Sequence, residues 1–230
     1  MTGISLAISG LEVMGQGGRS ILSVAHLEVP AGAVVVVRGP SGAGKSTLLY
    51  AMAGIIAPAQ GRIWWGNTDI AGRDDRGRAA FRRASVGFIF QEHLLFEELS
   101  ALGNAAITAL YAPRRDRRRI RESANGLLAR IGLSESAARR SDTFSGGERQ
   151  RIAVVRALAG AAPVILADEP TASLDRPNAD ALADDLMRLA REDGRTLVAV
   201  SHDPALHERA DHVIDVVDGR VEGPEELHDA

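Results

Sequence analysis

The chain has 230 residues, 45% of them hydrophobic and 25% charged, with a net charge of −3, values that suit one large globular domain and give no bulk electrostatic pull toward nucleic acid, which is not expected as a partner. There is no cysteine, which excludes disulfides and thiolate metal sites, and the first residues lack the basic start and long apolar core of a secretion signal. The longest apolar stretches, residues 31–37 and 161–167, are too short to cross a bilayer, so any spanning is expected of another chain.

Residues 20–29 and 61–70 roughly alternate apolar and polar side chains, as half-buried strands do. Within the second of these, Trp64-Trp65 is expected to place one ring in the packing and the other over the sheet or against a neighbour. The run AVVVVRG (33–39) is continuously β-branched and ends in glycine, the pattern of a strand buried on both faces. A helix over 47–55 and a strand over 85–91 follow. From Glu92 to about Gly160 the periods become helical. Two short apolar strands, 163–170 and 195–202, flank an amphipathic helix over 181–193. Residues 212–223 read as a hairpin turning at Asp218-Gly219. Strands separated by helices predict an α/β fold with a mainly parallel sheet. The organisation expected is a single domain over 1–230, with a core of 1–91 and 160–230 and a helical insertion at about 92–159.

The stretch Gly39-Pro40-Ser41-Gly42-Ala43-Gly44-Lys45-Ser46, followed by Thr47, fits G-x-x-x-x-G-K-[ST] between a buried strand and a helix. Glycines let successive N–H groups turn inward, and the helix N-terminus adds its positive dipole end, which together cradle phosphate. Lys45 is the only lysine in the chain. A compact ammonium on a thin stem fits inside such a loop, whereas the broad guanidinium used everywhere else does not. The loop defines a nucleotide-binding class and no more. Asp168 and Glu169 end the strand of 163–170; Asp168 is placed to meet Mg²⁺ and Glu169 to direct water, although adjacent acids also suit a capping turn. Ser145, Gly146, Gly147 and Glu148 precede a helix and offer a second anion site, or equally an ordinary N-cap.

Together these residues resemble the ATP-binding subunit of an ABC transporter, over nearly the whole chain. Gly39–Ser46 matches the phosphate loop, Gln91 the glutamine that touches Mg²⁺, and Ser145–Glu148 the family signature. Asp168 matches the second phosphate-loop ATPase motif, Glu169 the catalytic glutamate, Asp175 the loop after it, and His202 the switch histidine. Ser145 follows Lys45 by 100 positions, in the family's order. The resemblance implies a P-loop NTPase core with an N-terminal antiparallel β subdomain and an inserted α-helical subdomain. It further implies ATP and Mg²⁺ as cofactors, with Ser46, Gln91 and Asp168 at the metal. It implies a head-to-tail homodimer in which each ATP lies between one phosphate loop and the other copy's Ser145–Gly147, with Glu169 and His202 catalytic. It implies transmembrane permease subunits as partners and a peripheral position at the inner, cytoplasmic face of the membrane.

Three departures bear on this. Phe144 stands where the family usually has leucine, and Glu148 where it often has glutamine. No aromatic residue precedes Tyr50, although the family stacks adenine on one, and Val13 or Met14 lies where that ring is expected. The wording of 86–105 is similar to the branch that serves lipoprotein release, macrolide export, haem export and cell division. Leu94, Leu95, Phe96, Leu99 and Leu102 are expected mostly as core of the insertion, with a few lining a groove for a permease helix. The basic run 114–122 reads as a solvated helix start, or as a contact for anionic lipid heads. DNA-acting ATPases of this fold carry a long coiled coil between the two anion motifs, and sustained heptads are lacking here. A regulatory partner that binds ATP but hydrolyses it slowly stays open as the alternative function.

Overall fold

The computed structural model describes residues 3–222, so Met1, Thr2 and residues 223–230, including the last position of the expected hairpin, lie outside it. One ten-stranded sheet runs through the molecule. Its strands are β1 (Leu6–Met14), β2 (Ser20–Val29), β3 (Val34–Arg38), β4 (Gln60–Trp65), β5 (Thr68–Asp69), β6 (Val86–Ile89), β7 (Val164–Asp168), β8 (Thr196–Val200), β9 (His212–Val217) and β10 (Arg220–Glu222). Their order is β5-β4-β1-β2-β10-β9-β3-β8-β7-β6. Strands β9, β3, β8, β7 and β6 pair in parallel. β1, β2, β4 and β5 pair antiparallel, forming the N-terminal half. The turn joining β9 to β10 has Asp218 at φ 47° and Gly219 at φ 76°, the left-handed pair a tight hairpin demands.

The apolar runs of the parallel strands are explained by which face each residue serves. Val34 and Val36 of β3, Ile165 and Ala167 of β7, and Leu197 and Ala199 of β8 join one hydrophobic cluster. Val35 and Val37, Val164 and Leu166, and Val198 and Val200 join the other. Both faces are covered, so the sequence shows no polar alternation. The first cluster gathers the helices α3 (Ala101–Ala105), α4 (Arg114–Arg130), α5 (Gly146–Ala159) and α6 (Arg176–Glu192). The second holds α1 (Lys45–Met52) and the antiparallel strands. Trp65 is fully buried and donates its indole N–H to the Met52 carbonyl at 2.8 Å, while Trp64 stays half-buried.

Two short helices went unread in the sequence: α2 (Asp75–Ser85), capped by the Asp74 side chain, and α7 (Pro204–Arg209), capped by Asp203. The leucine cluster after Gln91 also differs from expectation. Leu94 and Phe96 are 52% and 54% exposed, and Leu95, Leu99 and Leu102 are half-buried, with Leu95 and Leu102 packed against the edge of the core. The first four lie on a segment with no helix or strand, and Leu102 lies in α3. The basic run forms the start of α4, with Arg114, Arg115, Arg117, Arg118 and Arg119 all exposed. Among the described residues no helix is long and apolar enough to cross a membrane.

Candidate nucleotide site

The site is a cleft of about 1100 Å³ at the C-terminal ends of the parallel strands, where open α/β sheets bind ligands. The loop between β3 and α1 forms its floor. Gly39 at φ 149° passes against β9, and a Cβ there would lie 2.0 Å from the Val216 carbonyl, so no other residue fits. Gly44 caps α1 at φ 99° with no side-chain hydrogen bond, which leaves the first N–H groups of the helix free of a side-chain acceptor. Lys45, only 7% exposed, folds back and donates to the carbonyls of Gly39 at 2.8 Å and Pro40 at 2.9 Å. Its ammonium is thereby held at the centre of the loop.

Ser46 on α1 donates its hydroxyl to Asp168 Oδ1 at 3.0 Å, joining the loop to the end of β7. Asp168 is 3% exposed. Glu169, the next residue, adopts φ 46°, a left-handed conformation unusual for glutamate and of the kind stored at functional sites. That turn aims its carboxylate at His202, whose Nε2 lies 3.5 Å away and whose backbone N–H donates to it at 3.4 Å. Burial pushes the Glu169 carboxyl up from its ordinary value, opposed by His202 and Lys45. Gln91, just beyond the end of β6, lines the same cleft.

Other expected residues lie elsewhere. Asp175 caps α6, accepting from the Asn178 N–H at 3.0 Å and its amide at 2.7 Å, and it does not line the cleft, although Leu174 and Arg176 do. Ser145 to Glu148 form the first turn of α5, away from the cleft of their own chain. There Ser145 is both a cap and a candidate anion ligand. Its hydroxyl accepts from the Glu148 N–H at 3.3 Å, and Glu148 accepts from the Ser145 N–H at 2.8 Å. Val13 is 1% exposed and Met14 does not line the cleft; Arg19 and Ile21 occupy its outer wall instead.

Tyr50 was missed by sequence reasoning. It lies one turn after Ser46 on the same face of α1. Burial, then its hydrogen bond to Asp168, pushes its hydroxyl up to about 12. The i, i+4 spacing was the available signal.

A glycine cradle at a helix N-terminus, a buried lysine within it and a strand-end acid pair define a phosphate-loop nucleotide-binding protein. The chain belongs to the ABC transporter family, whose pattern matches residues 22–172. It is 44% identical over 199 residues to the macrolide export ATP-binding/permease protein MacB of Rhodopseudomonas palustris, covering 85% of this chain but only 30% of that protein. It is 40% identical over 220 residues to the lipoprotein-releasing system ATP-binding protein LolD of Cereibacter sphaeroides, covering 94% and 98% of the two chains. Among solved structures, the dimeric post-hydrolysis state of the ATP-binding cassette MJ0796 bound to ADP and Pi superposes with a TM-score of 0.83 at 30% identity, over 98% of this chain and all of that one.

Proposed function

We propose that this chain is the ATP-binding and hydrolysing subunit of an exporter or mechanotransmission complex of the LolD and MacB kind, acting on a separate transmembrane permease from the inner face of the membrane. The observation that carries the reading is the convergence of Lys45, Ser46, Gln91, Glu169 and His202 on one cleft. Lys45 holds the terminal phosphates. The oxygen set of Ser46, Asp168 and Gln91 suits a hard divalent cation, so these residues would hold Mg²⁺. Bound there, it would neutralise charge that builds on the phosphates. Glu169 accepts a proton from the attacking water, and His202 holds the γ-phosphate and fixes Glu169. The Ser145–Gly147 turn, facing away from its own cleft, serves the nucleotide of a second copy.

Mixing a Lys45→Ala copy with a Gly146→Asp copy tests the composite pocket. The expected result is partial recovery of phosphate release, because one of the two pockets in the mixed dimer is intact. No recovery, together with full turnover by monomers, overturns the reading. Release that stays slow with the permease present identifies a regulatory subunit instead.

A further inference from the structure

The cleft has two flanks, and they fix which way a nucleotide lies in it. α1 starts between them, with Gly44 as its cap and Lys45 bonded inside the loop. On one flank Asp168 ends β7, and Glu169 meets His202 just beyond β8. On the other stands the start of β2, where a Cβ on Gly44 would lie 3.0 Å from the Ile21 carbonyl and 3.7 Å from Gly219 Cα. In the sheet β10, β9 and β3 separate β2 from β8, so the two flanks lie apart. On the proposed function the terminal phosphate faces Glu169 and His202. The nucleoside then extends toward the opposite flank, where Arg19, Ser20, Ile21 and Asp218 line the cleft.

That flank holds a planar cation with nothing bound to it. The connection from β1 to β2 turns through Gln16–Gly18, with Gly17 and Gly18 at φ 77° and 76°. The Gly15 N–H closes it by donating to the Arg19 carbonyl at 2.8 Å, which fixes the backbone of Arg19 at the edge of the cleft. Its side chain is exposed, and among the described residues the guanidinium has no hydrogen bond or ion pair. Arg176, which also lines the cleft, is by contrast tied to Asp180 and Asp203. Arg19 is extended, so it shares a face with Ile21 two residues on. Ile21 is 39% exposed, an apolar side chain left open beside the cation. The described residues that line the cleft include no Phe, Tyr or Trp.

We infer that Arg19 is the base platform of this site: its guanidinium stacks on the purine, with Ile21 alongside, in place of an aromatic ring. A guanidinium is planar and stacks on aromatic faces, which an ammonium does not do. This rests on the phosphate-loop reading of the cleft. The consequence is a choice of substrate. Stacking reads the face of a base and tolerates different bases, because every base has one. Adenine and guanine differ at their edges, in where they donate and accept. The polar side chains that accompany Arg19 on this flank are Ser20 and Asp218. The Ser20 hydroxyl donates or accepts, and the Asp218 carboxylate accepts from the adenine amino group or from the N–H groups of guanine alike. Neither separates the two purines, so MgGTP enters the cleft as well as MgATP.

The test uses the full chain and its Arg19→Ala, Arg19→Lys and Arg19→Tyr variants. Alanine removes both plane and charge, lysine keeps the charge alone, and tyrosine keeps a plane alone. Calorimetry gives Kd for MgATP, for MgGTP and for Mg²⁺-tripolyphosphate, which carries the phosphates without a base. Melting temperatures check that the variants fold as the parent does.

The parent is expected to bind MgATP and MgGTP within about tenfold of one another. Arg19→Ala and Arg19→Lys weaken both nucleotides about tenfold and leave tripolyphosphate within about twofold. Arg19→Tyr restores both nucleotides to about the parental Kd. A larger preference for ATP in the parent overturns readout by the face. Tripolyphosphate weakened as much as the nucleotides in Arg19→Ala shows a contact to phosphate and overturns the platform. So does parental nucleotide affinity in Arg19→Lys, where charge alone suffices, and so does Arg19→Tyr no tighter than Arg19→Ala. A parent that binds neither nucleotide nor tripolyphosphate brings down the proposed function itself. Sound parental binding with indifferent Arg19 variants brings down only the platform.

Discussion

Replacing Lys45 by methionine keeps the apolar stem in its buried slot and deletes the charge with its donors. In the free chain the ammonium bonds the Gly39 and Pro40 carbonyls. With a triphosphate in the loop it faces phosphate oxygens, and one unit charge at about 4 Å in an effective dielectric of about 20 is attracted by about 4 kcal/mol. Against that stand the two carbonyl bonds, each worth about 1 kcal/mol, which the phosphates take over. The difference of about 2 kcal/mol corresponds to a roughly 30-fold weaker Kd for MgATP in Lys45→Met. Isothermal calorimetry measures this directly. A Kd within about threefold of the parent would refute the assignment of Lys45 to phosphate. Lys45→Arg probes the steric part of the argument. The planar fork does not fit between the Gly39 and Pro40 carbonyls, so its turnover is expected to collapse, and full turnover would sink the explanation of the lone lysine.

Glu169→Gln is expected to bind MgATP normally, to release phosphate at least about 100-fold more slowly, and to accumulate an ATP-bound dimer; normal turnover refutes the role. Because burial raises the Glu169 carboxyl and the ionised form is the working one, turnover is lost as pH falls through that raised value. The acid limb of the kcat profile therefore lies above that of an ordinary glutamate, and a limb at or below it counts against Glu169. In Gly87→Ala the new Cβ would sit 2.2 Å from the Ala157 carbonyl and 2.9 Å from Ile165 Cδ1. The cost is about 3 kcal/mol, or a melting temperature lower by about 9 °C, and an unchanged melt shows that β6 and α5 are not packed as described. Gln150→Met removes a buried unpaired amide and is expected to stabilise the free chain by about 1–2 kcal/mol in urea titration; destabilisation would show that the amide has a partner.

What the sequence made legible follows from physical constraint. Strands β3, β7 and β8 were readable because both faces are buried, and an unbroken apolar run has few other meanings. The cleft was readable because phosphate binding fixes residue types at fixed spacings, from Gly39 to Ser46 and at Asp168-Glu169. β1 was not, because its alternation breaks at Ser9-Gly10, where two exposed residues adjoin, and its register shifts at Val13/Met14. α2 was missed because its only buried residue is Phe81, so no apolar stripe marks it. Leu94 and Phe96 misled, since hydrophobicity does not say which side of a surface segment a residue faces. Asp175 shows the limit of motif matching: its carboxylate is engaged at a helix N-cap, a demand invisible in the pattern D-R-P-N until Asn178 is seen donating to it.

The two anion sites differ in readiness, and that difference orders the proposed cycle. The first turn of α1 has no acidic residue and no side-chain cap, so its N–H groups meet a phosphate with no carboxylate to displace, and Lys45 gives up only its two carbonyl bonds. The first turn of α5 already holds an anion of its own, because Glu148 reaches back to the Ser145 N–H while Ser145 occupies the Glu148 N–H. A phosphate arriving there meets the negative charge of that carboxylate. In the proposed cycle free nucleotide therefore loads at α1 first. In that cycle α5 engages only when a second, loaded copy brings its γ-phosphate in at a fixed position. A turn open from the start would bind phosphate from solution and block its own partner. On the proposed function, the capping box at Ser145 and Glu148 thus disfavours free phosphate and leaves the turn to the dimer.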